Sequence, residues 1–282
     1  MPPLLEAIHL FPVKSCAGLL VSEAAVTPRG LRHDRRWMIV DAQGEFRTQR
    51  EFPQLARVTP ALAGKELRLN IPEQGEFALP LEPQEGEAQS VVVWEDTVRA
   101  LAPALSENHR NLDRELEVDE ALSRFLGSPS RLVYQPDSSV REVDPDYGRP
   151  GDHVSWADGF PLLLATSASL EELNRRLETP VAMSRFRPNL VISGTSPHAE
   201  DHWSRFRIGA VRFRAVKPCA RCVMTTVDPE RGISSGKEPL KTLATYRTFG
   251  NRVLFGQNVI PDLPSPAEDA VLQVGSVLEV VP

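Results

Sequence analysis

Short apolar runs, many of them alternating with polar residues and closed by glycine or proline, dominate the chain. Period-two alternation is the mark of half-buried β-strands, and it predicts strands at residues 5–13 and 19–27, separated by a turn at Gly18. Residues 37–41 and 45–48, joined through Ala42-Gln43-Gly44, read as a hairpin, and further strands are expected at 55–62, 66–71 and 90–95. Residues 119–126 change to helical spacing and stop at Gly127, a glycine placed to cap a helix C-terminus. The stretch 137–152 is polar and interrupted by proline, so it is expected to be a loop or a domain boundary. Beyond it, Ser169-Leu170-Glu171-Glu172 has the form of a capping box opening a helix to Leu177, with Leu170, Leu173 and Leu177 on one face. Strands are then expected at 189–193, 207–216, 222–227, 253–260 and 274–280. The pattern predicts a mainly β protein with some α (α+β), its second half a β-rich barrel or sandwich with packed helices.

Composition narrows the function. At 282 residues, 41% hydrophobic and 25% charged, the chain can build one large or two medium cores. A net charge of -6 and a pI near 5.6 disfavour nucleic acid as a partner, which would call for a basic excess. No run of about 18 apolar residues suggests a membrane span. The first residues lack the basic start and apolar core of a signal peptide, and with only three cysteines the expected compartment is the cytoplasm.

Two of those cysteines fall in Lys217-Pro218-Cys219-Ala220-Arg221-Cys222. Thiolate is the reactive and metal-binding form of cysteine, and nearby cations favour it, so Lys217 and Arg221 give the pair a reason to ionise. The spacing suits a redox dithiol, half of a zinc site, or one thiolate ligand beside a bystander; a buried pair without chemistry is the plain alternative. A structural zinc needs a second close pair of ligands, and Cys16 stands alone. A thioredoxin-like dithiol should sit where a strand gives way to a helix, whereas Val223-Met224-Thr225-Thr226-Val227 reads as strand. On an extended segment, an odd separation should point Cys219 and Cys222 to opposite faces.

Polar clusters interrupt the apolar strands at Pro12-Val13-Lys14-Ser15, Asp34-Arg35-Arg36-Trp37, Phe186-Arg187-Pro188-Asn189 and Phe255-Gly256-Gln257-Asn258. Any one arginine among them could be an ordinary solvated side chain. Together they place cations and amides at strand ends, where ligand-binding loops lie, and suggest a convergent anion pocket.

The order of these motifs, with Thr225-Thr226-Val227-Asp228-Pro229 and Lys237-Glu238-Pro239-Leu240, resembles the MOSC-domain proteins, closest to the mitochondrial amidoxime-reducing component and its bacterial relatives. The resemblance covers nearly the whole chain. It implies an N-terminal MOSC-associated β-barrel domain over 1–125 and a β-barrel-like MOSC domain over 130–282. It also implies a molybdenum-pyranopterin cofactor (Mo-molybdopterin), with Cys222 as the metal ligand. The family's cofactor contacts fall on Lys14, Ser15, Arg35, Arg187, Asn189, Ala220, Arg221 and Asn258, and its phosphate-holding segment on Asp158, Gly159 and Phe160. This sequence has Ala220 and Phe160 where animal members carry hydroxyl residues, and Asn258 where they carry tyrosine.

The implied activity is reduction of N-hydroxylated compounds such as amidoximes, hydroxylamines and N-hydroxylated bases. Oxygen would leave the N–O bond at a molybdenum centre that a separate flavin- or iron-sulfur-containing protein re-reduces. Asp228 is expected either to supply a proton near the metal or to cap the Asp-Pro-Glu-Arg-Gly turn. Two alternatives stay open: sulfur transfer through a Cys222 persulfide, and non-catalytic carriage of the cofactor.

Overall fold

The computed structural model describes residues 2–103, 117–234, 236–263 and 270–281. Its largest sheet has nine strands, and eight of them form a continuous path. The path runs Leu19–Val21, Leu4–Leu10, Leu190–Ser193, Leu162–Thr166, Arg252–Pro261, Val211–Ala220, Arg205–Ile208 and Leu278–Val281. The first strand of the chain is therefore an inner strand of a sheet otherwise built mostly from the second half. A second sheet orders Trp37–Val40, Arg131–Tyr134, Asp96–Pro103 and Gly86–Val93, and a third is the meander Thr59–Ala63, Glu66–Ile71 and Gly75–Pro80.

The meander buries one face, as its alternation demands, whereas Trp37–Val40 is buried on both. Leu67, Leu69 and Ile71 of the meander strand are fully buried while Arg68 and Asn70 face out. They pack with Phe77 and Leu79 against Val118, Ala121, Leu122 and Leu126, the apolar stripe of the helix Val118–Leu126. That helix ends at Gly127, whose φ of 68° is the left-handed conformation glycine adopts without a Cβ penalty. A separate core under the large sheet joins Leu5, Ile8, Leu164, Ile192, Phe206, Phe213 and Val259.

Several local expectations change. Residues 53–57 form a 3-10 turn, because proline sits at its start, and the strand begins only at Thr59. The helix Ser167–Asn174 is capped by Thr166, whose hydroxyl accepts from the Ser169 amide, so Ser169 lies inside the first turn and not at the cap. The expected strand 207–216 is a hairpin, Arg205–Ile208 and Val211–Ala220, turned at Gly209. The expected strand 222–227 is a 3-10 turn, Val223–Thr226, followed by the two-residue strand Val227–Asp228. Thr225 and Thr226 turn their hydroxyls onto the carbonyls of Cys222 and Val223, a local bond that competes with sheet pairing. The stretch 137–152 lacks helix and strand, as expected, and is tied down by Arg214, which pairs with Asp152 at 2.6 Å.

Gly256 lies within Arg252–Pro261 at φ 78°, and a Cβ there would stand 2.6 Å from the Leu164 carbonyl on the neighbouring strand. Left-handed strain and a displaced ladder act together, so Gly256→Ala should lower unfolding stability by about 2 to 4 kcal/mol. Urea unfolding would show this as a lower midpoint at unchanged slope; an unchanged midpoint would mean that the strands separate without penalty.

Candidate functional site

Beside the large sheet, a cavity of about 140 Å³ opens. It is lined from the first part of the chain by Lys14, Ser15, Arg35, Thr48 and Arg50, and from the second by Asp158, Gly159, Phe160, Arg185, Arg187, Asn189, Cys219, Ala220, Arg221, Cys222, Met224 and Asn258. Thus Lys14, Ser15, Arg35, Asp158, Gly159, Phe160, Arg187, Asn189, Ala220, Arg221, Cys222 and Asn258 come together from distant parts of the sequence.

Strand register does the gathering. Leu164 pairs with Leu190 and Leu163 with Asn258, which sets the starts of two strands beside the interior of a third. Asn189 is fully buried at this junction. Its side-chain oxygen accepts from the Leu163 amide at 3.2 Å and from Arg35 Nη1 at 3.0 Å, and its amide nitrogen donates to the His9 carbonyl at 3.3 Å. Asn189 therefore fixes the backbone on two sides and aims Arg35. Asp34, also buried, pairs with Arg35 and accepts from the Phe11 amide at 2.8 Å. The guanidinium groups of Arg35 and Arg187 both lie over the Phe11 ring, at 4.6 and 4.2 Å from its centroid. A ring face between two cations partly offsets their repulsion.

Ser15, Arg35 and Arg187 all have left-handed backbones, with φ of 66°, 49° and 54°. Such strain costs non-glycine residues roughly 1 to 2 kcal/mol each, and its concentration at one cavity points to a site whose shape is set for a ligand.

The segment before strand Leu162–Thr166 is held from behind by two buried cations. Arg141 donates to the carbonyls of Ser155, Ala157 and Asp158 at 3.2, 2.5 and 2.9 Å. Lys14 Nζ donates to the Trp156 carbonyl at 2.8 Å and pairs with Asp158 at 2.5 Å. Four successive carbonyls are thereby turned toward cations. Burial alone would raise the Asp158 carboxyl pKa, but Lys14, Arg50 and Arg35 together hold it well below the usual carboxylate range, so Asp158 is ionised.

The cavity wall carries six cations, Lys14, Arg35, Arg50, Arg185, Arg187 and Arg221, against the single carboxylate of Asp158, in a chain whose net charge is -6. Arg187 shows the consequence: burial, and then Arg35 beside it, push its pKa down to about 9. One terminal nitrogen of Arg187 and the Nε of Arg221 are buried without a hydrogen-bond partner. Buried donors are nearly always satisfied, so these unmatched groups fit an anionic ligand.

Both cysteines line the cavity, which corrects the expectation of opposite faces. The pairing of Val211–Ala220 with its neighbour is irregular between Pro218 and Ala220, and simple alternation does not carry across that irregularity. Cys219 Sγ accepts from Arg221 Nη1 at 2.9 Å, while Cys222 Sγ faces Arg50 Nη2 at 3.7 Å. Lys217 lies elsewhere, with its ammonium 4.1 Å from the Tyr147 ring centroid, so it is not the cation beside the thiols. Among the described residues, no three His, Cys, Asp or Glu side chains cluster as a metal cage.

Asp228 does not line the cavity. Its carboxylate accepts from the amides of Glu230 and Arg231, both at 3.0 Å, and lies 3.4 Å from Arg185. The Arg231 amide is the main cause of its lowered pKa. Asp228 caps the turn and reaches the cavity only through Arg185. Arg50, Arg185 and Thr48 are wall residues that the motifs did not single out; Arg47-Thr48-Gln49-Arg50, a polar cluster at the end of an expected strand, was the available signal.

Residues 3–129 match the MOSC N-terminal beta barrel domain and residues 151–279 the MOSC domain. The chain is 34% identical to mitochondrial amidoxime-reducing component 1 of Homo sapiens, over 91% of this chain and 78% of that protein. Identity to the Mus musculus protein of the same name is 37%, covering 89% and 75%. Identity to mitochondrial amidoxime reducing component 2 of Homo sapiens is 31%, covering 85% and 71%. Similarity of this extent, across both matched domains, means that the chain belongs to the MOSC-domain family that includes the mitochondrial amidoxime-reducing components.

Proposed function

We propose that this protein is a molybdenum-cofactor-dependent oxidoreductase that reduces N-hydroxylated compounds. The observation that carries the reading is the cavity wall itself, in which six cations and two thiols face the single carboxylate of Asp158. Lys14, Arg35, Arg187 and Arg221 would hold the pterin and its phosphate, with Asn189 keeping Arg35 aimed. The Cys222 sulfur would be the donor for molybdenum, a soft ligand suited to that metal. The bound cofactor would supply the two-electron chemistry; the protein supplies orientation and charge.

In balanced form, the N–O bond takes up two electrons and two protons, giving the N–H product and water. The electrons come from a separate flavin- or iron-sulfur-containing protein, since three cysteines are too few for a Cys₄ cluster and no Gly-x-Gly-x-x-Gly dinucleotide motif is present in the chain. Asp228, kept ionised by its turn, has no proton to give; its part is to hold Arg185. Among the described residues no helix is long and apolar enough to cross a membrane. Three free thiols suit a reducing compartment, and we place the chain in the cytoplasm on that ground.

Protein made in a host that synthesises the cofactor should contain molybdenum and reduce benzamidoxime with reduced viologen. With NADH alone, turnover should be lower by about 100-fold or more, because the chain has no group to accept hydride. Efficient NADH-driven turnover would contradict the electron route. Full molybdenum without viologen turnover would favour a cofactor carrier, and Cys222 persulfide without molybdenum would favour sulfur transfer.

A further inference from the structure

Trp94 is an anomaly on the surface. It opens the two-residue turn between strands Gly86–Val93 and Asp96–Pro103, it is left 47% exposed, and its backbone has φ 57°. Glycine would fill such a turn position without the steric penalty and asparagine or aspartate with less of it, and a polar residue would avoid exposing an indole. The ring has a use, however. It packs on Phe46 with centroids 5.2 Å apart, and the Arg50 guanidinium lies over it at 4.8 Å.

Arg50 differs from the other cavity cations. Arg35 and Arg221 donate to protein groups deep in the wall, and so does Arg187 through one nitrogen. The Arg50 side chain is 25% exposed, and its Nη2 lies 3.7 Å from Cys222 Sγ and 3.4 Å from Asp158 Oδ2. It is thus a partly exposed cation beside the sulfur assigned to the metal. Among the described residues only its Nη2 has side-chain partners, and the indole limits the directions in which the fork can point.

We propose that Arg50 is a further catalytic residue, and that Trp94 is the residue that positions it. This rests on the N-reductive reading above. When the N–O bond accepts electrons, negative charge gathers on the departing oxygen. A guanidinium fixed beside the Cys222 sulfur and open to solvent can donate a charge-assisted hydrogen bond to that oxygen, stronger as the charge grows. Such a donor raises kcat more than it alters substrate affinity. Asp158 keeps the fork from swinging outward, and the indole replaces a water-exposed face.

The test compares Arg50→Met, Arg50→Lys, Trp94→Leu and the double variant Arg50→Met/Trp94→Leu in holoenzyme. Molybdenum and pterin content, kcat and KM per molybdenum for benzamidoxime with reduced viologen, and the Mo(V) paramagnetic resonance spectrum are all read. Arg50→Met should load normally and lose about 100-fold in kcat per molybdenum, with KM changed less than about 3-fold. Arg50→Lys should recover only part of this, since it keeps the charge but not the stacked fork. Trp94→Leu should lose about 10-fold with the same split, add nothing in the double variant, and perturb the Mo(V) spectrum in the same direction as Arg50→Met.

Arg50→Met with kcat per molybdenum near wild type would overturn the catalytic role. Loss of molybdenum content instead of kcat would overturn it as well, by making Arg50 a cofactor-loading residue. A further loss from Trp94→Leu on top of Arg50→Met would overturn the positioning role. Failure of the N-reductive reading is distinguishable, because wild-type protein itself would then lack molybdenum or viologen-driven turnover.

Discussion

Cys222→Ser should abolish N-reduction, while Cys219→Ser should keep much of it, although both sulfurs face one cavity. The difference lies in what each sulfur does. Cys219 accepts from Arg221 at 2.9 Å, and a serine oxygen can take over that bond. Among the described residues Cys222 makes no comparable bond; its sulfur meets Arg50, at 3.7 Å, and is left available to a soft metal. Replacing it with an alcohol removes the donor. Loss of kcat per protein should exceed about 100-fold, the upper end of what losing a residue that merely supports a metal ligand costs. The measurement is viologen-driven turnover at matched cofactor loading, with elemental analysis of each variant. Equal activity in the two variants would take the ligand role from Cys222. Sulfur transfer would also fail in Cys222→Ser, so molybdenum content of the wild type is the observation that separates the two chemistries.

Much of this arrangement was legible in the sequence because strand ends announce themselves. Lys14, Arg35, Arg187 and Asn258 each interrupt or flank an apolar run, and cations and amides recurring at such positions point to ligand-binding loops. Residues 66–71 alternate cleanly and form the strand Glu66–Ile71 without correction. The errors cluster where side chains compete with the sheet. Thr225 and Thr226 are good strand formers by propensity, yet their hydroxyls bond to Cys222 and Val223 carbonyls and close a 3-10 turn. That turn, with the irregular pairing at Pro218 to Ala220, brings both cysteines to the cavity, which no period-two argument could give.

Other features depend on tertiary contacts and had no local signature. The left-handed backbones of Ser15, Arg35 and Arg187 occur at residue types for which that conformation is uncommon. Arg50 sits in a polar cluster indistinguishable from a solvated turn until Trp94 and Cys222 are brought next to it. Asp228 shows the reverse case. It follows the cysteine motif closely and looks chemical, but its carboxylate is consumed by two backbone amides and Arg185. Proximity in sequence to a reactive residue was a poor guide there, because the chain turns away after Val227.

Arg187→Ala should separate cofactor binding from folding. In the protein without cofactor, Arg187 is a buried cation beside another cation, with its pKa pushed down to about 9 by burial and by Arg35. The sign of the linkage follows: the folded state disfavours the charged form, so this cost is fully present at neutral pH and is relieved only as pH rises through about 9 toward the unfolded value. Alanine removes that cost along with the stabilising bond to the Cys16 carbonyl at 2.6 Å and the stack on Phe11. The two changes oppose each other at a few kcal/mol each, so the cofactor-free variant should unfold within about 2 kcal/mol of wild type. Cofactor binding has no such compensation. An anionic pterin would lose one charge-assisted hydrogen bond, about 1.5 to 3 kcal/mol, or roughly 10- to 150-fold in affinity. Arg187→Ala should therefore purify folded but depleted in molybdenum and pterin, as elemental analysis and pterin fluorescence would show. Full cofactor content would remove Arg187 from the anion site. Unfolding of the cofactor-free variant would instead assign the residue to the core, where its contacts with Cys16 and Phe11 would outweigh its buried charge.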